Sequence, residues 1–135
     1  MTALSRFLFP LPVVRRNTAT LFSWWESRRP AFNLIVGSAG LATLTCLQLI
    51  AWMLPIHESV FAAWPLILVY GIAANVCYTF GFLLEVLLHR LWGDDVAPVG
   101  PTLFRYGLVF SIGVTLLPIV AATFIAIATS VLRLF

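Results

Sequence analysis

Four polar side chains interrupt an otherwise apolar run from Trp64 to Trp92, and they are the residues of this sequence best placed to do chemistry. They are Asn75, Tyr78, Glu85 and His89. At 100° per residue the four fall within an arc of about 80° on one helix. A helix in lipid does not expose such a polar stripe, so the stripe must face another part of the chain, a partner or a water-filled path.

Glu85 and His89 admit a functional interpretation, as an ion-binding or proton-relay pair one helical turn apart. Intramembrane ionisable groups are often functional, and histidine titrates near physiological pH. The structural alternative is an ion pair between Glu85 and Arg105. Counted from Pro65, Glu85 lies roughly 30 Å along the helix, at the boundary of the hydrocarbon core. Arg105 begins the next span at a comparable level, which favours the ion pair.

Asn75 lies about 15 Å from the start of the same span and so near the membrane centre, where its amide needs a partner. Counted inward from the level of Glu85, it faces Val114 or Thr115 of the next span. Pro118 leaves the Val114 carbonyl without its usual helical donor. We therefore expect the Asn75 amide to bond either the Val114 carbonyl or the Thr115 hydroxyl.

The composition predicts an integral membrane protein. Of the 135 residues, 61% are hydrophobic and 10% are charged, whereas soluble domains carry roughly 25% charged residues. All 8 basic residues are arginines, and they cluster near the predicted membrane surface, which suits anionic lipid headgroups. No basic patch with interleaved aromatic residues and no nucleic-acid motif appears, so we expect no nucleic-acid partner.

Three transmembrane helices are the elements that must position the polar stripe, so the predicted fold class is all-α. Pro30 suits the first turn of a helix, Pro55 stops it, and a turn rich in glycine and proline follows Trp92. The spans are predicted at about 31–54, 65–92 and 103–132, within a transmembrane domain over residues 30–135. Small residues from Gly37 to Gly40 in the first span permit close helix approach.

Residues 1–29 are predicted to form an N-terminal arm followed by an interfacial amphipathic helix. Pro10 and Pro12 prevent one continuous helix over residues 1–16. From residue 17 to residue 29 the pattern indicates a short helix at the membrane surface. Its predicted interface anchors are Trp24, Trp25, Arg28 and Arg29. The alternative for the tryptophan pair is a docking surface for a partner.

The arginines set the predicted orientation. Most of them precede the first span, and Arg90 and Arg105 flank the turn between the second and third spans, whereas Arg133 alone lies at the other side. By the positive-inside rule the N-terminus is cytoplasmic and the C-terminus is outside. The segments WWESRR and NVCYTFGFLLE resemble those of small bacterial inner-membrane proteins, and we expect that location.

The sequence contains none of the common catalytic or cofactor-binding motifs. There is no P-loop, no G-x-G-x-x-G after a strand, no H-E-x-x-H, no C-x-x-C-H and no G-x-S-x-G. Cys46 and Cys77 lie inside predicted spans, where apolar packing explains them. We therefore expect no enzymatic activity, no catalytic residue, no cofactor and no bound metal.

A small membrane protein without such chemistry is expected to work by association. Three spans shield one another incompletely, which favours an accessory or structural subunit of a larger membrane complex, or a homo-oligomer. The alternative is a small oligomeric transporter or channel, with Asn75, Glu85 and His89 lining a polar or proton path.

Overall fold

Four α-helices form the part of the chain that the structure, a computed structural model, describes: residues 17–54, 64–93 and 99–132. They are α1 (Thr18–Glu26), α2 (Arg29–Met53), α3 (Trp64–Trp92) and α4 (Gly100–Leu132). The segments Thr18–Met53, Trp64–Trp92 and Gly100–Leu132 are each long and apolar enough to cross a membrane. The prediction of an all-α fold is confirmed for the described residues, and three of their segments have the length and hydrophobicity of the predicted spans. The predicted arm over residues 1–16 lies outside the described residues.

The helices α1 and α2 are almost one helix. Ser27 and Arg28, which separate them, both have right-handed helical backbone angles, and the Phe32 amide donates to the Arg28 carbonyl at 2.9 Å. Pro30 explains the interruption, because it has no N–H to donate to the Glu26 carbonyl and its ring crowds that carbonyl. The predicted N-terminal helix is therefore present, and it is joined directly to the first span.

Together, α1 and α2 run along α3 in one antiparallel register. The contacting pairs are Phe22 with Phe82, Arg29 with Thr79, and Asn33 with Asn75. Residue numbers rise along α1 and α2 as they fall along α3. Over its whole length α2 packs much more extensively on α4 than on α3, and Asn75, on the α2 side of α3, is only partly buried.

A buried aromatic core lies where α1 meets the three long helices. Its members are Trp25, Phe32, Val36, Ala74, Tyr78 and Phe104. Large apolar side chains cover the outside of the bundle instead, as a lipid-facing surface requires. Leu34 on α2 and Phe124 on α4, for example, are 72% and 71% exposed.

A second set of polar contacts ties the long helices together away from this core. The Tyr70 hydroxyl donates to the Ser111 carbonyl at 3.0 Å and also bonds the Thr115 hydroxyl. Thr43 of α2 donates to the Thr115 carbonyl at 2.9 Å. Pro118 lies inside α4 and removes a helical donor from this part of the helix. Thr115 therefore joins α2, α3 and α4 through its two oxygen atoms.

Replacing Thr115 by valine tests this tie. Thr115→Val removes the hydroxyl that meets Tyr70 and keeps the carbonyl that Thr43 bonds, so it should destabilise the protein by about 0.6–1.7 kcal/mol, the range of such interhelical bonds. Thr123→Val is the matched control, because the Thr123 hydroxyl bonds only a carbonyl of its own helix. Unfolding of the two variants in detergent, followed by circular dichroism, measures the difference. Equal stabilities would show that the tie contributes nothing.

Candidate functional site

A buried carboxylate joins three helices at the core. Glu85 of α3 is 4% exposed, and Trp25 of α1 is 2% exposed. The Trp25 indole Nε1 donates to Glu85 Oε2 at 2.7 Å, and the Gly100 backbone amide donates to Glu85 Oε1 at 3.0 Å. Each carboxylate oxygen therefore accepts a hydrogen bond from a neutral N–H group.

Gly100 places this carboxylate at the N-terminus of α4. It is the first residue of that helix, and its amide is one of the four that lack an intrahelical partner. The helix macrodipole also favours negative charge at this end. A Cβ atom on Gly100 would overlap the Glu85 carboxylate, so the contact requires glycine. A backbone donor and a helix terminus thus take the place of a cationic side chain.

The predicted ion pair between Glu85 and Arg105 does not form. Arg105 is exposed, and the ion pair present among the described residues joins Arg29 to Glu26 at 2.6 Å. The structure supports one part of that prediction, because Glu85 is covered by protein from α4. The donor is the backbone of Gly100, five residues before the predicted side chain.

Trp25 docks α1 into a slot on α3. Its ring packs edge-on against Tyr78, with centroids 5.1 Å apart, and Phe104 of α4 lies 6.3 Å away. A Cβ atom on Gly81 would lie 2.8 Å from the Trp25 ring, so the missing side chain of Gly81 makes room for the ring. The Tyr78 hydroxyl also donates to the Trp25 carbonyl. Both the side chain and the backbone of Trp25 therefore fasten α1 to the bundle.

The two arginines next to Trp25 are held by the chain itself. The Arg28 guanidinium lies 4.0 Å from the centroid of the Trp24 ring and donates to the Trp24 carbonyl at 2.8 Å. Arg29 pairs with Glu26 and lies 4.9 Å from the centroid of the Tyr78 ring.

Of the predicted membrane-interface anchors, Trp25 and Arg28 are buried, and Trp24 and Arg29 are partly buried. The structure thus places them against protein. The tryptophan pair packs on Tyr78 of α3 and Phe104 of α4 in the same chain, and the alternative, a docking surface for a partner, stays a prediction.

The four residues of the predicted polar stripe do not share one face of α3. Tyr78 and Glu85 are buried, and they lie on one face of α3 because seven residues are nearly two full turns. Asn75 lies on the adjoining face, towards α2. His89 is partly buried near the end of α3. The structure does not bring Asn75 together with Glu85.

Asn75 bonds α2 instead of the predicted α4. Its Nδ2 atom donates to Asn33 Oδ1 and to the Gly71 carbonyl, both at 3.0 Å. The predicted acceptor Thr115 is bonded by Tyr70. Tyr70 and Asn75 are five residues apart and so point about 140° away from each other, which explains why α3 reaches α4 through Tyr70 and α2 through Asn75.

An open groove of about 490 Å³ lies on the surface of α3. It is lined by Ile67, Leu68, Gly71, Ile72, Asn75, Val76 and Thr79. The lining is apolar towards Ile67 and polar towards Asn75 and Thr79. The groove therefore includes Asn75 at its polar end, and all of its lining residues belong to α3.

The described residues contain no group of three histidine, cysteine, aspartate or glutamate side chains that could hold a metal ion. Cys46 and Cys77 are free thiols. The chemistry that the described polar groups perform is hydrogen bonding between helices, by Glu85, by Thr115 and by Asn75.

No protein-family model, curated protein sequence or solved structure matches this chain.

The Trp25–Glu85 bond predicts different effects for two neighbouring substitutions. Trp25→Phe keeps an aromatic ring but leaves Glu85 Oε2 without its donor, which should destabilise the protein by about 1–3 kcal/mol. Trp24→Phe removes an indole N–H that has no hydrogen-bond partner among the described residues. It should therefore destabilise the protein less, by about 0.5–1 kcal/mol, through the weakened cation–π contact with Arg28. Thermal unfolding in detergent compares the two. A larger loss for Trp24→Phe would contradict the assigned role of Trp25.

Two glycine substitutions in α4 should have opposite effects. Gly100→Ala places a methyl group on the Glu85 carboxylate and should lower the melting temperature. Gly107→Ala, in the same helix, meets nothing within 4 Å and should stabilise the helix by about 0.5–1 kcal/mol, because alanine loses less backbone entropy than glycine. The measurement is again unfolding in detergent. If both variants behaved alike, the carboxylate would not be held at Gly100.

Proposed function

We propose that this protein works by association in a membrane, as an accessory or structural subunit of a membrane complex or as a homo-oligomer. The observation that carries the proposal is the Asn33–Asn75 pair at the outer edge of two apolar spans. Asn33 is exposed and Asn75 is partly exposed. Amide groups at this depth require hydrogen-bonding partners, which lipid tails do not offer.

The polar groups inside the bundle support the same proposal. Glu85 forms hydrogen bonds with α1 and with the start of α4, and Tyr78 forms one with α1. Thr43 and Thr115 join the long helices. These bonds hold the helices in place. Asn33 and Asn75 face outwards at the edge between α2 and α3, which is where a second membrane helix would find hydrogen-bonding partners.

The proposal includes a place in the cell and an orientation. The grouped arginines support insertion in an anionic bilayer, such as the bacterial inner membrane, with the N-terminus cytoplasmic and the C-terminus outside. The side chains of the Arg29–Glu26 ion pair are 28% and 36% exposed. This partial exposure supports a position of the ion pair near the lipid headgroups, because charge costs less there than in the hydrocarbon core. The N-terminal helix α1 would then lie at the level of the membrane surface, packed upright against α3.

Purification from membranes in a mild detergent, followed by mass measurement in solution, tests the association. We expect a particle larger than the 15.0 kDa chain, either with other membrane subunits or as several copies. A particle of the mass of one chain under every mild condition would overturn the proposal. If a discrete homo-oligomer also carried ions into liposomes, the alternative of a small transporter or channel would replace the structural role.

Asn75→Leu should weaken the assembly, because it removes the amide at the open edge and leaves an apolar side chain of similar size. Double-mutant data on comparable membrane bonds average about 0.6 kcal/mol, so the association constant should fall roughly two- to threefold, which lowers the assembled fraction at the wild-type midpoint of dilution from about one half to about one third. Thr45→Val is the control, because Thr45 is exposed on another face of α2 and bonds only a carbonyl of its own helix. An unchanged assembly in Asn75→Leu would contradict the role of this edge.

A further inference from the structure

The edge between α2 and α3 has a defined set of polar and small residues, which we call the Asn33–Asn75 face. It consists of Glu26, Arg29, Asn33 and Gly37 on one side and of Gly71, Asn75 and Thr79 on the other. We propose that this face binds a second copy of the same chain, related by a twofold axis normal to the membrane. The inference rests on the proposed function of association and names its partner.

The face is continuous because its residues recur every four positions. Arg29, Asn33 and Gly37 follow one side of α2, and Thr79, Asn75 and Gly71 follow one side of α3. Arg29 reaches the Thr79 hydroxyl at 3.4 Å, and Asn33 bonds Asn75 at 3.0 Å. The two rows therefore run side by side at the surface of the bundle.

The two amides leave one donor nitrogen, with its two N–H groups, and one acceptor oxygen for a partner. Asn75 Nδ2 already donates to Asn33 Oδ1 and to the Gly71 carbonyl. Among the described residues, none bonds Asn75 Oδ1 or Asn33 Nδ2. An amide group in a bilayer that lacks a partner is costly. The partner must therefore supply both a donor and an acceptor at the depth of this pair.

A second copy meets this requirement by symmetry. Because Asn33 and Asn75 are hydrogen-bonded to each other, they lie at the same depth in the membrane. Another copy inserted in the same direction presents the same pair at that depth. A twofold axis normal to the membrane then brings Asn33 Nδ2 of one copy to Asn75 Oδ1 of the other, twice in one interface, as a self-complementary contact requires.

The neighbouring residues allow the two copies to approach closely. Gly37 and Gly71 flank the asparagines, and a Cβ atom on either glycine would meet nothing within 4 Å. Such small residues let helix backbones pack against each other in membranes. The groove beside Asn75 and Ile72, of about 490 Å³, offers space for apolar side chains of the copy.

The charges on the face also suit a second copy. Glu26 and Arg29 carry opposite signs, and both side chains are partly exposed. The face is therefore neutral as a whole, and a twofold axis can bring Glu26 of each copy towards Arg29 of the other. A face with charges of one sign would repel its own copy.

Disulfide cross-linking in native membranes tests the dimer. Ile72→Cys is made in a background of Cys46→Ala and Cys77→Ala, and the membranes are oxidised. We expect a product of twice the 15.0 kDa mass of the chain. The control keeps native Cys77 in a Cys46→Ala background. Cys77 is exposed but lies about 200° around α3 from Asn75, so it should give no such product.

The outcomes separate this inference from the proposed function. Cross-linking at Ile72→Cys, together with co-purification of two differently tagged copies, supports the dimer. Cross-linking at Cys77 and not at Ile72→Cys, or purification with a different membrane protein and no cross-link, overturns the dimer and leaves association standing. A single uncross-linked chain overturns both. The cross-link is measured with both asparagines intact, so its absence cannot be a folding defect of an asparagine variant.

Discussion

The structure depends on one constraint, the need to supply hydrogen-bond donors to the Glu85 carboxylate where three helices meet. The Trp25 indole and the Gly100 amide each supply one hydrogen bond. These donors belong to segments that lie 60 residues before and 15 residues after Glu85 in the chain. One side chain therefore fixes the position of α1, of α3 and of the first turn of α4. Other features follow from this contact, including the glycines at residues 81 and 100, where a side chain would occupy the space of the Trp25 ring or of the carboxylate.

The polar contacts also define levels along the bundle. Thr79, which Arg29 reaches, lies about 9 Å from Glu85 along α3, and Asn75 lies about 6 Å further on. The contact of Tyr70 with Thr115 lies about 7 Å beyond Asn75, towards the start of α3. The bonds between helices are therefore spread along about 22 Å of α3.

The helices could be predicted from the sequence because bilayer thickness fixes how long an apolar segment must be. That Glu85 must be covered could be predicted as well. Its hydrogen-bond partners could not be predicted, because the pattern of side chains gives the depth of each residue in a hairpin but not which helix packs against it. The Gly100 donor is a backbone amide, and no residue type identifies it. Tryptophan suits the headgroup region as well as a protein core, so the residue type does not decide where Trp25 lies. The space for its ring in the core comes from the missing side chain of Gly81. Depth alone places Asn75 opposite α4, whereas its direction around α3 determines that its partner is Asn33 of α2.

The distribution of satisfied and unsatisfied polar groups separates folding from function. Within the bundle Glu85, Tyr78, Thr43 and Thr115 each bond another helix, so they are needed to hold one arrangement of helices. Asn33 and Asn75 bond each other at the edge and keep capacity for more bonds. Folding of a single chain does not require polar groups at these two positions, since two leucines would face lipid there at a lower free-energy cost. Under the proposed association, these two adjacent amides form their remaining hydrogen bonds after folding, with another protein surface.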